Sequence, residues 1–366
     1  MQLPQLTFTR FVAALVVLVF HGARGSYPFT VYPGRYLIEH GSVAVIYFFI
    51  LSGFILTITS LASVERTGTL NRGQFWLARF SRIYPLYAFA LLMTVFVQTT
   101  FYFVSVTPVQ LLASLTLMQA WFPTLAGTLN GPGWSLSVEA FFYALFPFVF
   151  PPLATLSNRV LLGLFAGVWL VGVGGFYLLV NQPDPAGFSP ETYHSLINYS
   201  PWIHLAVFVN GCISGLLFWR YVRQNAPSPA RNRFSWGLLA LGVVSLVVIV
   251  PQPELMVYGQ GGLLAPIFVL FIAGLGIQTD TILTRFLSWP PLVYLGEISY
   301  GLYILQMPVI RLLKQVDPLS LGDTLQRDLF TFGSLFLVAI LCHHLIERPA
   351  QAFIRTRWQP KLVRSN

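Results

Sequence analysis

Three small groups of ionisable residues lie in stretches too apolar to hold them without a reason. Charged side chains are costly inside a bilayer, so each one near a hydrophobic helix calls for a hypothesis. Arg10 and His21 stand eleven residues apart in TRFVAALVVLVFHG. Eleven residues are almost three helical turns, so the two side chains share one helix face. They are separated along the axis by about 16 Å. A guanidinium can hold an anion, and an imidazole can take and return a proton near neutral pH. A snorkelling arginine and a histidine capping the helix before Gly22 would account for the same pair.

Arg79 and Arg82 occupy positions i and i+3 of FWLARFSRIYPLY and also share a face. Two adjacent guanidiniums suit a phosphate-rich ligand through bidentate hydrogen bonds. The competing account is a basic anchor at the cytoplasmic face, with Trp76, Tyr84 and Tyr87 as an aromatic belt. Glu139 lies in NGPGWSLSVEAFFYALFP, just after a Gly/Pro-rich stretch. Its expected depth matches that of His21, where a carboxylate would orient the ring for acid–base work. Alternatively it bonds backbone amides of the irregular segment. Asn130, Trp134 and Ser135 either belong to that cavity or shape it.

Other polar residues point to chemistry less sharply. His343 and His344 are neighbours and face different sides of a helix, so with Glu347 they make a poor metal set, and no metal is expected. Glu347 and Arg348 before Pro349 suggest a helix end with a local ion pair. His204 and Glu297 are expected to be structural, and His40 and His194 to lie in loops. No CxxC pair, phosphate-binding glycine loop, dinucleotide fingerprint or GxSxG elbow is present.

The elements that must carry these groups follow from composition. Of 366 residues 55% are apolar and 9% charged, with a mean hydropathy of +0.69. Soluble domains carry roughly 25% charged residues. This chain therefore needs lipid as part of its solvent. At ~20 residues per span there is room for about ten helices. Apolar segments fall at 6–22, 42–62, 83–104, 108–122, 136–153, 160–180, 202–222, 235–251, 259–278, 291–313 and 327–346.

Charge decides which of these eleven does not cross. With a cytoplasmic N-terminus, Arg66, Arg72, Arg79 and Arg82 follow the second span on the inner side. If 108–122 does not cross, Arg159, the loop with Arg220, Arg223, Arg231 and Arg233, Arg285 and the tail with Arg348, Arg355, Arg357, Lys361 and Arg364 return inside too. Arg24, Arg35, Lys314 and Arg327 remain outside, with Arg311 near a helix end. The expected fold is thus all-α and integral to the membrane. It has about ten transmembrane helices, a short non-spanning segment at 108–122, and both termini in the cytoplasm. Residues 127–134 would be non-helical near the outer face, tolerable only if buried in protein or lining a wet cavity. Segments 181–199 and 314–326 would be short outer loops.

Residues 1–350 are expected to form one membrane domain, and 351–366 a basic cytoplasmic tail. The net charge of +9 is covered by the inner loops and does not call for nucleic acid. Cys212 and Cys342 lie in apolar runs, so no disulfide framework is expected. The N-terminus lacks a basic n-region and cleavage site, which suggests a retained first helix.

Several stretches together resemble the acyltransferase-3 family of integral membrane acyltransferases, which includes bacterial O-acetylases of envelope glycans. They are FTRFVAALVVLVFHG, FFILSGFIL, RFSRIYPLY, GPGWSLSVEAFFYALFP, GEISYGLYILQMPV and LIERP, in family order from residue 7 to 349. The resemblance implies about ten spans, a catalytic base at His21, a helix-1 arginine at Arg10, and a donor-handling pair at Arg79 and Arg82. It also implies that Trp134, Ser135 and Glu139 form the family's Trp-Ser-Leu-x-x-Glu element.

The donor implied is an acyl-CoA, acetyl-CoA first among them, used as co-substrate with no permanently bound cofactor. The acceptor implied is a carbohydrate or glycolipid hydroxyl at the inner membrane of a cell envelope. Two departures stand out. Gln306 replaces the histidine of the family's SYxxYLxH element, and the chain ends without an SGNH hydrolase-like domain, so a second transfer step would need a separate periplasmic partner. The main alternative is a transporter or flippase for an amphipathic or lipid-linked solute, because intramembrane Arg, His and Glu also mark substrate paths. A membrane scaffold is the other.

Overall fold

The computed structural model describes residues 3–23, 27, 30, 31, 35, 39–182, 187–316 and 325–358, and these are helical with irregular connections. The helices used below are α1 (Pro4–Gly22), α2 (Ala44–Thr67), α3 (Arg72–Phe101), α4 (Pro108–Leu115), α5 (Gly133–Thr155), α6 (Asn158–Val180) and α7 (Pro190–Tyr199). They continue with α8 (Pro201–Gln224), α9 (Pro229–Ile249), α10 (Ala265–Ile277), α11 (Ile282–Leu287), α12 (Pro290–Val316), α13 (Leu325–Cys342) and α14 (Arg348–Trp358). A single π-helical turn, His343–Glu347, joins the last two.

Eight helices among the described residues are long and apolar enough to cross a bilayer. Two further spans expected from the sequence are the 13-residue α10 and the 27-residue α12. At 1.5 Å per residue α10 reaches about 20 Å, and the irregular segment before it makes up the remaining depth. α12 is long enough but carries Glu297, Arg311 and Lys314, which lower its hydropathy. The segment 108–122 does not cross: its helix α4 is eight residues long, roughly 12 Å.

Close approach at glycine sets the centre of the bundle. A Cβ on Gly53 would sit 2.4 Å from the Phe208 carbonyl oxygen, one on Gly211 2.3 Å from that of Ile50, and one on Gly215 2.8 Å from that of Phe54. Gly211 and Gly215 form a small-xxx-small stripe that lets α2 and α8 pack backbone to backbone. Burial follows: 67% of the hydrophobic window is buried for α2 and for the α7–α8 stretch, against 11% for α6 and 17% for α9. α6 and α9 are peripheral, and residues such as Val171, Leu178, Val247 and Val248 face outward. That is the pattern of lipid-facing helices.

α1 and α12 are parallel neighbours. Gly296 lies against the Thr7 backbone, and Gly22 lies beside Ile310. This registration fixes depth: His21 is level with residues 309–310 of α12, and Arg10 with a point about three turns nearer the start of that helix.

The segment 116–132 returns into the protein as irregular backbone before α5 begins. Hydrogen-bonding groups there must be met internally. Tyr84 and Tyr87 donate to the carbonyls of Leu115 and Ser114 at 3.0 and 2.7 Å. Ser137 donates to Leu117 O at 2.6 Å, Gln119 to Gly133 O at 2.8 Å, and Gln98 to Leu129 O at 3.0 Å. Leu117 and Leu129, held in this way, adopt left-handed backbone with φ of 57° and 54°. Tyr84 and Tyr87 are therefore internal clamps and not members of an aromatic belt, and Tyr87 is buried.

One further expectation is corrected. Residues 190–199 of the expected outer loop are helical, so His194 lies in α7. Residues 348–358 form α14, which packs on α3. Arg24, Lys361 and Arg364 lie outside the described residues.

Candidate active site

One cavity of about 510 Å³ opens between α1, α2, α3, α5, α12 and the π-turn, and it collects most of the polar residues singled out above. α1 contributes Arg10, α3 Arg79 and Arg82, and α5 Ser135, Glu139 and Tyr143. α12 adds Glu297, Tyr300 and Tyr303, and the chain around the π-turn adds His343, Glu347, Arg348 and Gln351. The volume suits an extended part of a small-molecule ligand.

The arginines reach it from separate helices. α3 begins at an Asn71 cap whose side chain accepts from Gln74 N at 2.9 Å, and eight and eleven residues into that helix Arg79 and Arg82 turn inward. Arg79 packs its guanidinium 5.8 Å from the Phe75 ring, and its Nε is buried without a hydrogen-bond partner among the described residues. Such a donor awaits an acceptor. Both arginines thus line an internal cavity.

Glu139 is held at the same depth as the arginines. Its Oε1 accepts from Ser52 at 3.3 Å and from Tyr143 by a short hydrogen bond. Glu139 does not lie beside His21, contrary to the sequence expectation. The reason is register: α5 starts within the protein after the returning segment 116–132, not at its surface, so Glu139 sits deeper than counting from an outer loop suggests.

His21 stands apart from this cavity. Its Nδ1 lies 3.0 Å from the Val17 carbonyl oxygen, and its ring meets Phe20 edge-on at 4.7 Å. A carbonyl oxygen only accepts, so Nδ1 carries the proton and Nε2 is the basic nitrogen of the neutral ring. A backbone carbonyl thus sets the tautomer that a carboxylate was expected to set. No α1 residue beyond Arg10 lines the cavity.

Of Asn130, Trp134 and Ser135, only Ser135 lines the cavity. Pro308 removes the N–H that would bond Ile304 O, and Asn130 Nδ2 donates to that carbonyl at 2.9 Å. Pro147 likewise frees Tyr143 O, which accepts from Trp76 Nε1 at 3.0 Å. Trp134 stacks on Tyr199 at 4.8 Å and near His204 at 5.3 Å, a packing role. Ser135 Oγ lies 2.7 Å from Tyr303 OH and joins α5 to α12.

The groups missed by sequence reasoning cluster at the π-turn. His343 Nδ1 bonds Glu347 at 3.0 Å, and Arg348 pairs with Glu297 at 3.0 Å. Glu297 is therefore a cavity group, and Glu347 and Arg348 do not pair with each other. The signal available was the intramembrane charge itself; spacing misled, because a π-turn adds a residue and rotates the face. His204, fully buried with its Nε2 2.8 Å from Asn198 O, is structural as expected. No group of three metal-ligating side chains occurs among the described residues.

Comparison with known proteins adds the family context. A family model described as "Acyltransferase domain" matches residues 3–344. Acyltransferase MdmB of Streptomyces mycarofaciens is 27% identical, over 97% of this chain and 93% of its own. Peptidoglycan O-acetyltransferase OatA of Listeria monocytogenes serovar 1/2a is 25% identical, over 84% of this chain and 51% of its own. Putative O-acetyltransferase SACOL0978 of Staphylococcus aureus is 24% identical, over 84% and 50% respectively. The chain thus spans about half the length of the last two. No solved structure matches it.

Proposed function

This chain belongs to the Acyl_transf_3 family of acyltransferases, and from that premise we propose that it moves an acyl group from acyl-CoA to a hydroxyl of an envelope or exported carbohydrate. The observation carrying this reading is the cavity that gathers Arg79 and Arg82 from α3 with Arg10 from α1, the helix that also bears His21. A membrane O-acyltransferase needs a water-soluble, phosphate-bearing donor to meet an acceptor on the other side. Guanidiniums at one level and a base about 16 Å along the same helix suit a long donor lying between them.

In this mechanism the donor's phosphates rest on Arg79 and Arg82 with Arg10 beside them, on the cytoplasmic side of the inner membrane. Glu139, bonded to Tyr143 and Ser52, holds the arginine cluster in place and limits its mutual repulsion. The acyl end reaches His21. His21 Nε2 takes the proton of the acceptor hydroxyl as its oxygen attacks the thioester carbonyl. The tetrahedral centre collapses, the C–S bond breaks, and the imidazolium returns the proton to the departing thiolate. Acetyl is the first acyl group to test, because two of the relatives are named O-acetyltransferases.

The test is CoA release by purified protein supplied with acetyl-CoA and a carbohydrate acceptor, followed by mass spectrometry of the product. His21→Ala should cut transfer by at least about a hundredfold while the protein stays membrane-inserted. Retained transfer in that variant removes His21 as the base. Absence of any CoA release with wild type, across acyl-CoA donors, removes acyl-CoA as the donor.

A further inference from the structure

The cavity stops short of His21, and what closes it is well defined. α5 runs away from the His21 level and α12 runs toward it, so Ser135 and Tyr303 are the wall residues of each helix nearest to His21. Their hydroxyls are hydrogen-bonded at 2.7 Å. On the far side of this pair stand two buried amides. Gln306 is fully buried and Asn130 is 4% exposed. Each spends its NH₂ on a carbonyl of α12, Tyr303 O at 2.7 Å and Ile304 O at 2.9 Å. Each amide oxygen is left without a hydrogen-bond partner among the described residues.

The amide orientations are fixed by those carbonyls, which can only accept, so the unpartnered atoms are acceptors. Tyr303, Gln306 and Ile310 occupy positions i, i+3 and i+7 of α12, one helix face. That face begins at the cavity wall with Tyr303 and ends at Ile310, which touches the α1 backbone position next to His21. Gln306 thus lies on that face between the cavity wall and the level of His21. Buried oxygens with no donor are uncommon in folded proteins and point to a ligand that supplies one.

We infer that the amide oxygens of Gln306 and Asn130 accept hydrogen bonds from N–H groups of the donor's arm, once the Ser135–Tyr303 hydrogen bond opens to admit it. The inference rests on the proposed acyl-CoA donor, whose pantetheine arm carries two secondary amides. It makes Gln306 and Asn130 donor-positioning residues for a linear, amide-bearing thioester, and Ser135 and Tyr303 the latch in front of them.

The experiment uses the full-length protein and three donors: acetyl-CoA and two analogues in which one or the other pantetheine amide is replaced by an ester, which removes the N–H and keeps the shape. With wild type, at least one ester analogue should lower kcat/KM about five- to tenfold, the value of one net hydrogen bond. In one of the two variants Gln306→Leu and Asn130→Leu that same ester should cost nothing further, because its acceptor is already gone. Wild type that uses both esters as well as acetyl-CoA overturns the inference, and so do losses that simply multiply in both variants. If Gln306→Leu is not recovered folded, Gln306→Met replaces it, and the wild-type comparison stands on its own. Failure of acetyl-CoA itself with wild type refutes the donor assignment instead, so the two outcomes are distinguishable.

Discussion

Arg79 presents a buried Nε to a cavity shared with Arg10 and Arg82, and its planar fork suits two phosphate oxygens at once. Arg79→Lys keeps the charge and loses the fork. It should raise the apparent KM for acyl-CoA about tenfold with a smaller change in kcat, read from CoA-release kinetics. An effect on protein abundance alone would return these residues to the role of topological anchors. Glu139 supplies a second residue-scale test. Because its hydrogen bonds go to Ser52 and Tyr143, Glu139→Gln should weaken donor binding yet leave the pH dependence of kcat in place. A displaced acidic limb in that variant would mean that Glu139 acts on His21 after all.

Among the elements, helices here are interrupted by proline and repaired by neighbours. Trp76 bonds the carbonyl freed by Pro147, and Asn130 the one freed by Pro308. Removing either donor leaves a buried carbonyl unmet. Trp76→Phe should therefore destabilise the protein by about 1–3 kcal/mol, seen as a lower thermal midpoint in detergent. The glycine contacts make a sharper contrast. A Cβ at Gly296 would lie 2.0 Å from Thr7 O, whereas one at Gly163 meets nothing within 4 Å. Gly296→Ala should separate α1 from α12 and abolish transfer, while Gly163→Ala should behave as wild type in both folding and activity.

For the molecule as a whole, the non-crossing of α4 decides the orientation of everything after it. Both native cysteines are buried, so a single introduced thiol reports sidedness. Asn225→Cys, in the turn between α8 and α9, should react with an impermeant maleimide only after the inner face is opened. Labelling from outside would reverse the second half of the topology and remove the argument for cytoplasmic termini.

Membrane residence, the all-α class, the approximate number of spans and the short segment at 108–122 were determined by the sequence alone. They depend on composition, segment length and charge bias, which are additive along a chain. The common face of Arg10 and His21 was legible for the same reason, being a property of one helix. Which helices meet was not. The arginines converge with Glu139 because Gly53, Gly211, Gly215 and Gly296 permit close backbone contact, and because the returning segment starts α5 deep in the protein. The π-turn brings His343 and Glu347 to the same cavity by rotating a helix face that regular spacing directs elsewhere. These are matters of register between distant segments, and only the tertiary structure decides them: it separates Glu139 from His21 and buries Gln306 on the face of α12 that runs from the cavity wall to the level of His21.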